Sequence, residues 1–292
     1  MSARVGILGP GAVGGTLAVR LAQAGNEVIC VARPDTAAAI RSQGLSLRHG
    51  RDVTTVHPEA VEELREPVEL LVVAVKAPAL EEALDRVAAR PETTVPLLNG
   101  LEHVQAIRAR VDGHVIAGSI GRLEAYREGP AQIVQVTPSP LVTLASADGA
   151  EEALRGAGLE VRIGPSERGV LWEKLARLAP LAAATTITQR SLGELRSDPE
   201  WRATLEAAVD EACAVAAADG VVLKRTAQWE ILDTMPASVT TSTARDAAAG
   251  QPTELDAIVG AVVRAAKRLD VPAPTFERLL AQAEEACRPL LR

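Results

Sequence analysis

One turn near the start of the chain restricts the fold more than any other feature. The run Val5-Gly6-Ile7-Leu8-Gly9-Pro10-Gly11-Ala12-Val13-Gly14 goes from apolar residues into glycines spaced Gly-x-Gly-x-x-Gly, and an amphipathic helical pattern follows at once. The predicted order is strand, tight turn, helix. Gly9 permits the sharp exit from the strand, Gly11 lets backbone approach a pyrophosphate, and Gly14 lets the helix pack on the strand. The helix N-terminus offers N–H groups and the positive end of its dipole to phosphate oxygens. The spacing alone is weak, but a second apolar strand at 27–32, after Gly25-Asn26, supplies the right setting. The expected ligand is a dinucleotide held by Gly9, Pro10, Gly11, Ala12, Val13 and Gly14.

The second strand is followed by Arg33, where an NAD-binding chain of this pattern carries an acid. An acid there accepts from the ribose 2′-hydroxyl and repels a 2′-phosphate; a guanidinium offers that phosphate a planar fork of donors. The expectation is therefore NADP, the plainer alternative being a solvated arginine at a strand end.

The 292 residues are too many for one small core and predict two domains. With 2% aromatic residues, Leu, Val and Ala must fill the interior. A net charge of −7 without a basic stripe argues against nucleic acid as a partner. No apolar run has transmembrane length, and Met1-Ser2-Ala3-Arg4 leads straight into the first strand, so a cytoplasmic chain without membrane association is expected. Cys30, Cys213 and Cys287 are far apart and odd in number, and the four histidines have no metal-ligand spacing; neither a disulfide framework nor a metal site is predicted.

A short helix is expected at 34–43, then a hairpin of 45–48 and 53–56 turning at 49–52. The continuous apolar run 69–75 reads as a strand buried on both faces, ending at Lys76 before a helix over 79–88. Asn99 closes the apolar stretch 95–98. Lys76 and Asn99 both fall at strand C-terminal ends, where open α/β sheets bind ligands; a solvent-facing cap and a plain turn are their plainer readings. A strand at 114–119 precedes an antiparallel annex at 122–126, 132–136 and 141–144, a helix at 150–157 and a last strand at 160–163. Helical patterns then dominate 167–184, 199–219, 226–234, 253–269 and 275–288. The expected fold class is α/β: a Rossmann-type dinucleotide-binding domain over residues 1–165, followed by an all-α domain over 166–292. Lys174, on the first long helix of the second part, has the chemistry of a proton donor to a carbonyl oxygen; from the residues alone, a solvated helix face is the simpler reading.

The order of parts changes that balance. Gly9-x-Gly11-x-x-Gly14, Arg33, Val75-Lys76-Ala77, Leu98-Asn99-Gly100, Leu171-Trp172-x-Lys174-Leu175, Gly193-Glu194-Leu195 and Thr253-Glu254-Leu255-Asp256 together resemble the ketopantoate reductase (2-dehydropantoate 2-reductase) family. The resemblance covers essentially the whole chain, and its most specific pieces are Trp-x-Lys-Leu and Thr-Glu-Leu-Asp. It implies NADPH bound through residues 9–14, Arg33, Lys76 and Asn99, with the backbone near Ala125 and the Glu254 side chain at the nicotinamide end. It implies Lys174 as proton donor to a 2-oxo acid, Asn99 and Ser242 as substrate ligands, and Glu211 as an acid near the active centre. The helical domain would close the cleft. As plainer readings, Glu254 suits the first turn of a helix and Ser242 suits a turn.

The sequence also departs from that family. Leu178, Ala182 and Leu192 stand where its members carry asparagines. Lys174, Leu178 and Ala182 share a helix face, Thr185 lies about 20° round from it, and Pro180 removes a backbone donor within the same helix. A more apolar ketone or an imine is therefore the rival substrate, and a non-catalytic NADP sensor the rival from another class. The alanine-rich C-terminal helices suit pairing into a homodimer.

Overall fold

The structure, a computed structural model, describes residues 2–288. The chain divides into two compact units. The first comprises Met1–Leu98 and His103–Val170; the second comprises Asn99–Glu102 and Leu171–Arg292.

The first unit opens β1 (Arg4–Leu8), α1 (Ala12–Gln23), β2 (Glu27–Val31) and α2 (Pro34–Gln43). A hairpin follows, β3 (Leu45–His49) and β4 (Asp52–Val56), then β5 (Glu59–Val61), β6 (Leu70–Val73), α3 (Leu80–Leu84), β7 (Thr93–Pro96), α4 (His103–Arg108) and β8 (His114–Val115). These build a six-stranded sheet in the order β5-β2-β1-β6-β7-β8, parallel throughout. Strand order reverses direction at β1: the chain goes first to β2 on one side, then crosses to β6 on the other. The C-terminal end of β1 is thus the topological switch point, where such sheets bind ligands. The fold of this part is Rossmann-type, and β1, β2 and β6 are buried nearly throughout, as a sheet covered on both faces requires.

The rest of the first unit is β9 (Gly118–Gly121), β10 (Ala125–Gly129), β11 (Gln132–Gln135), β12 (Leu141–Leu144), α5 (Ala150–Gly156) and β13 (Glu160–Ile163). These form two small sheets, not one antiparallel annex. In β10-β11-β3-β4 the inserted hairpin joins in parallel to β11; in β13-β12-β9 the β12–β13 pair is parallel. The first of these lies on α1, so α1 has a sheet on either side. The single strand expected at 114–119 is two strands in different sheets. Gly118 makes the change possible: a Cβ there would lie 2.9 Å from Leu97 Cδ2 and 3.1 Å from the Pro96 carbonyl oxygen. The strand expected from 122 starts only at Ala125, because Arg122 sits in the left-handed region at φ 50°. The helix expected over 79–88 stops at Leu84, and Val87 bridges to Leu64 instead.

The second unit is helical: α6 (Glu167–Thr188, which starts in the first unit), α7 (Leu192–Ser197), α8 (Pro199–Ala218), α9 (Arg225–Thr234), α10 (Ser242–Ala248), a π-helical turn (Asp256–Gly260), α11 (Ala261–Arg268) and α12 (Pro274–Ala286). Alanines of α6 and α8 pack with Trp172, Ile258, Val262 and Phe276 in one core cluster. α6 continues through Pro180. The short α7 and α10 carry too few turns for a periodic signal. No helix among the described residues is long and apolar enough to cross a membrane.

Candidate active site

The glycine turn lies at the switch point. Gly9 has φ 87°, and a Cβ there would meet Val75 Cγ1 at 2.4 Å; one on Gly14 would meet the Gly9 carbonyl oxygen at 2.2 Å. Both positions exclude side chains for packing reasons. Gly11 differs: a Cβ built on it has nothing nearer than the Gly9 oxygen at 4.0 Å. The space over Gly11 is open, at the N-cap of a helix whose N-terminus no side chain caps and whose first turn holds no acid. That open cradle fits a pyrophosphate. Pro10, Ala12 and Val13 complete the turn. Arg33, exposed, follows β2 as the N-cap of α2; Lys76, exposed, stands three residues beyond β6; and Ala125 opens β10 opposite Gln135.

In the second unit, three predicted residues meet. Lys174 Nζ donates to Asn99 Oδ1 at 2.7 Å, and Asn99 Nδ2 donates to Glu254 Oε2 at 3.1 Å. The ammonium can only donate and the carboxylate only accept, so the Asn99 amide has one possible orientation. Glu254 is buried, Lys174 and Asn99 half-buried. Desolvation pulls the Lys174 ammonium down from 10.5 to about 8, assisted by the Arg177 charge and opposed by Glu254. An acid tuned toward neutral pH, with a carboxylate to steady its charged form, suits delivering a proton to an oxygen.

Each member is held from behind. Trp172 is fully buried and its Nε1 donates to Asp219 Oδ2 at 2.9 Å; with Leu175 buried beside it, α6 is fixed in rotation and Lys174 turned off the core. Gly100 has φ 99°, and a Cβ there would be 2.3 Å from the Ala257 carbonyl oxygen, so the Asn99-Gly100 turn rests directly on the π-helical turn that follows Glu254. Arg264 ties the same pieces together: it donates to both carboxylate oxygens of Glu102 at 2.8 Å and to Asp256 Oδ1 at 2.6 Å. Sequence reasoning missed this clamp; the Thr253-Glu254-Leu255-Asp256 piece was its only visible part.

Ser242 is exposed in the first turn of α10 and is not hydrogen-bonded to Lys174, Asn99 or Glu254. Its neighbour Thr241 caps α10 by accepting from Ala244 N at 3.1 Å and lies 2.8 Å from Thr185 Oγ1. Thr185 is fully buried and gives its proton to the Leu181 carbonyl, so it offers no polar group to a ligand. Gly193-Glu194-Leu195 also proves architectural. The backbone N–H of Gly193 donates to the Ala237 carbonyl, Glu194 closes a capping box with Ser191, and Leu195 is buried. Glu211 caps α12 by accepting from Thr275 N at 2.8 Å and Phe276 N at 3.0 Å. Of the three positions that depart from the family pattern, Ala182 and Leu192 lie in core clusters and Leu178 is half-buried.

Two family models divide the chain between them: ketopantoate reductase PanE/ApbA matches residues 5–149 and the ketopantoate reductase PanE/ApbA C-terminal model matches residues 168–286. The chain is 26% identical to "Uncharacterized oxidoreductase YkpB" of Bacillus subtilis, over 95% of this chain and 97% of the relative. It is 28% identical to the 2-dehydropantoate 2-reductase of Mycobacterium tuberculosis, over 96% of each. Among solved structures, the PanE/ApbA family ketopantoate reductase from Ralstonia eutropha superimposes with a TM-score of 0.86 at 28% identity, covering 97% of this chain and 98% of that one. A D-mandelate dehydrogenase with NADH and anilino(oxo)acetate shares the fold, with a TM-score of 0.87 at 22% identity over 97% and 98% of the two chains. With matches to both halves and a common fold throughout, the chain belongs to the ketopantoate reductase family of oxidoreductases.

Proposed function

We propose that this protein is an NADPH-dependent reductase of a 2-oxo acid, with 2-dehydropantoate, reduced to pantoate, as its first candidate substrate. The observation that carries the reading is the Lys174–Asn99–Glu254 constellation, in which a lysine near pKa 8 is oriented by an amide and steadied by a carboxylate. A bound reduced nicotinamide supplies the hydride that forms the new C–H bond. Residues 9–14 hold the pyrophosphate, Arg33 and Lys76 meet phosphate or ribose oxygens, and Ala125 offers backbone at the other end. Lys174 gives its Nζ proton to the carbonyl oxygen as the C=O π bond breaks, and regains one from solvent. Asn99 and Ser242 orient the substrate. Glu254, through Asn99, fixes the lysine and keeps its charged form accessible. In this reading the first unit serves the cofactor and the helical unit the substrate, and the alanine-rich helices pair two chains.

The names of the relatives support the reaction class, and Arg33 in place of an acid supports the phosphorylated cofactor. Leu178, one helical turn after Lys174, favours a second reading in which the substrate carries an apolar side chain. Steady-state reduction of a panel of 2-oxo acids, polar and apolar, with NADPH and NADH separates these. Turnover of 2-dehydropantoate with NADPH preferred supports the first; turnover confined to apolar ketones replaces it with the second; no turnover of any carbonyl compound sinks both.

A further inference from the structure

We propose that Arg127 is a second anchor for the cofactor's 2′-phosphate, forming with Arg33 a two-guanidinium site for a ribose phosphomonoester. The inference rests on the NADPH reading and adds a residue to it. Arg127 lies 94 positions from Arg33 in sequence, yet the charges of the two act on each other in the folded chain.

Three observations converge. The first is direction. In the β10–β11 ladder Arg127 stands opposite Ile133, and residues directly opposite in a sheet project from the same face. Ile133 Cδ1 lies 2.0 Å from where a Gly15 Cβ would be, so that face presses on the first turns of α1. Arg127 therefore leaves its sheet on the side of the helix that the glycine turn opens.

The second is the lack of counter-charge. Among the described residues, no hydrogen bond or ion pair engages the Arg33 side chain, and Arg127 donates only a long bond, Nε to the Gly129 carbonyl at 3.4 Å. Glu128, next in sequence to Arg127, is taken by Arg48. Elsewhere in the first unit exposed arginines do find carboxylates, as with Arg110 and Arg122. The third is proximity. Arg127 titrates below the ordinary arginine range, first through partial desolvation and then through the charge of Arg33. Two exposed guanidiniums that repel each other and lack a carboxylate are costly unless an anion joins them.

The chemistry of the pair selects its ligand. A phosphomonoester carries close to two negative charges near neutral pH and three terminal oxygens, enough for one fork to take two and a second fork the third. A ribose 2′-hydroxyl at the same place gives neither cation a counter-charge, so the pair favours NADPH by attraction and leaves NADH binding largely unaffected. Arg127 is thus a specificity residue for the cofactor and touches no reacting atom.

Calorimetric titration of the intact protein with adenosine 2′,5′-bisphosphate, NADPH and NADH tests this without turnover. For Arg127→Gln the expected result is about ten- to hundredfold weaker binding of the bisphosphate and of NADPH, the loss of one charge-assisted contact, with NADH within twofold of its starting affinity. Arg127→Lys should recover part of the loss, and the melting temperature of the unliganded Arg127→Gln protein should not fall. If Arg127→Gln leaves bisphosphate and NADPH binding intact while Arg33→Gln weakens both, the second anchor is refuted and the NADPH reading survives. Equal weakening of NADPH and NADH refutes it as well, since Arg127 then serves the nucleotide generally. A wild-type protein that binds NADH as tightly as NADPH overturns the reading and the inference together.

Discussion

In the proposed reaction, the charge on Lys174 sets the rate. Burial lowers its pKa to about 8 and Glu254 acts in the opposite sense. Roughly nine-tenths of the lysine is then protonated at pH 7, and an acid with that pKa gives up its proton far more readily than a free lysine. In the direction of carbonyl reduction the protonated form is the active one, so kcat/KM should be flat below pH 8 and fall about tenfold per unit above it. Alcohol oxidation should show the mirror limb, rising toward pH 8. Glu254→Gln removes the group that raises the lysine's pKa. Its falling limb should move to lower pH, and a pH–rate profile that stays in place would show that the carboxylate does not tune Lys174. Asn99→Ala removes the partner of both, and kcat is expected to fall by about 10²-fold through lost orientation, with KM for NADPH changing less.

At the scale of elements, the site depends on a four-residue loop seated on a π-helical turn. Gly100 meets two demands at once, a φ of 99° and a 2.3 Å limit set by the Ala257 carbonyl. Gly100→Ala must move one of the two segments, which costs more than about 2 kcal/mol and displaces Asn99 from Lys174. A lower melting temperature together with a lower kcat is the expected pair of results; normal stability and rate would mean the turn relaxes freely. The Arg264 clamp is a network on partly exposed side chains, each worth little singly, so Arg264→Ala should cost about 1 kcal/mol or less in stability. Its effect should appear instead in kcat, because loop 99–102 loses a tether. The glycine turn is stricter. Gly14→Ala drives a Cβ to 2.2 Å from the Gly9 oxygen, and nucleotide binding should fall at least tenfold by calorimetry while the sheet stays folded.

Taken whole, the molecule should gain stability from its cofactor in proportion to affinity. At a hundred times Kd, NADPH adds about 2.7 kcal/mol, whereas NADH at the same concentration adds much less if the 2′-phosphate is what the strand-end cations recognise. A thermal scan with each nucleotide reads this directly. Much of the architecture was legible in the chain because its signals are local. The run from Val5 to Val31 encodes strand, turn, helix and strand through contiguous residues, and the hairpin at 45–56 does the same. The glycine turn at 9–14 shared that legibility. What stayed hidden depended on distant partners. Arg122 breaks a predicted strand through its backbone angle, Glu211 caps a helix 64 residues away, and the pairing of β3 with β11 joins segments more than 80 residues apart. The same holds for the acid cluster: Asn99, Lys174 and Glu254 were each visible, but the amide bridge between an ammonium and a carboxylate is a property of the folded helical unit.

The most direct measurement removes that ammonium. For Lys174→Ala, NADPH affinity by calorimetry and turnover of the best 2-oxo acid substrate should be determined side by side. Binding within twofold of the parent, with kcat reduced by at least about 10²-fold, is the predicted result for a proton donor that the cofactor does not need in order to bind. Undiminished turnover would contradict the account, as would a loss of turnover explained entirely by loss of NADPH binding.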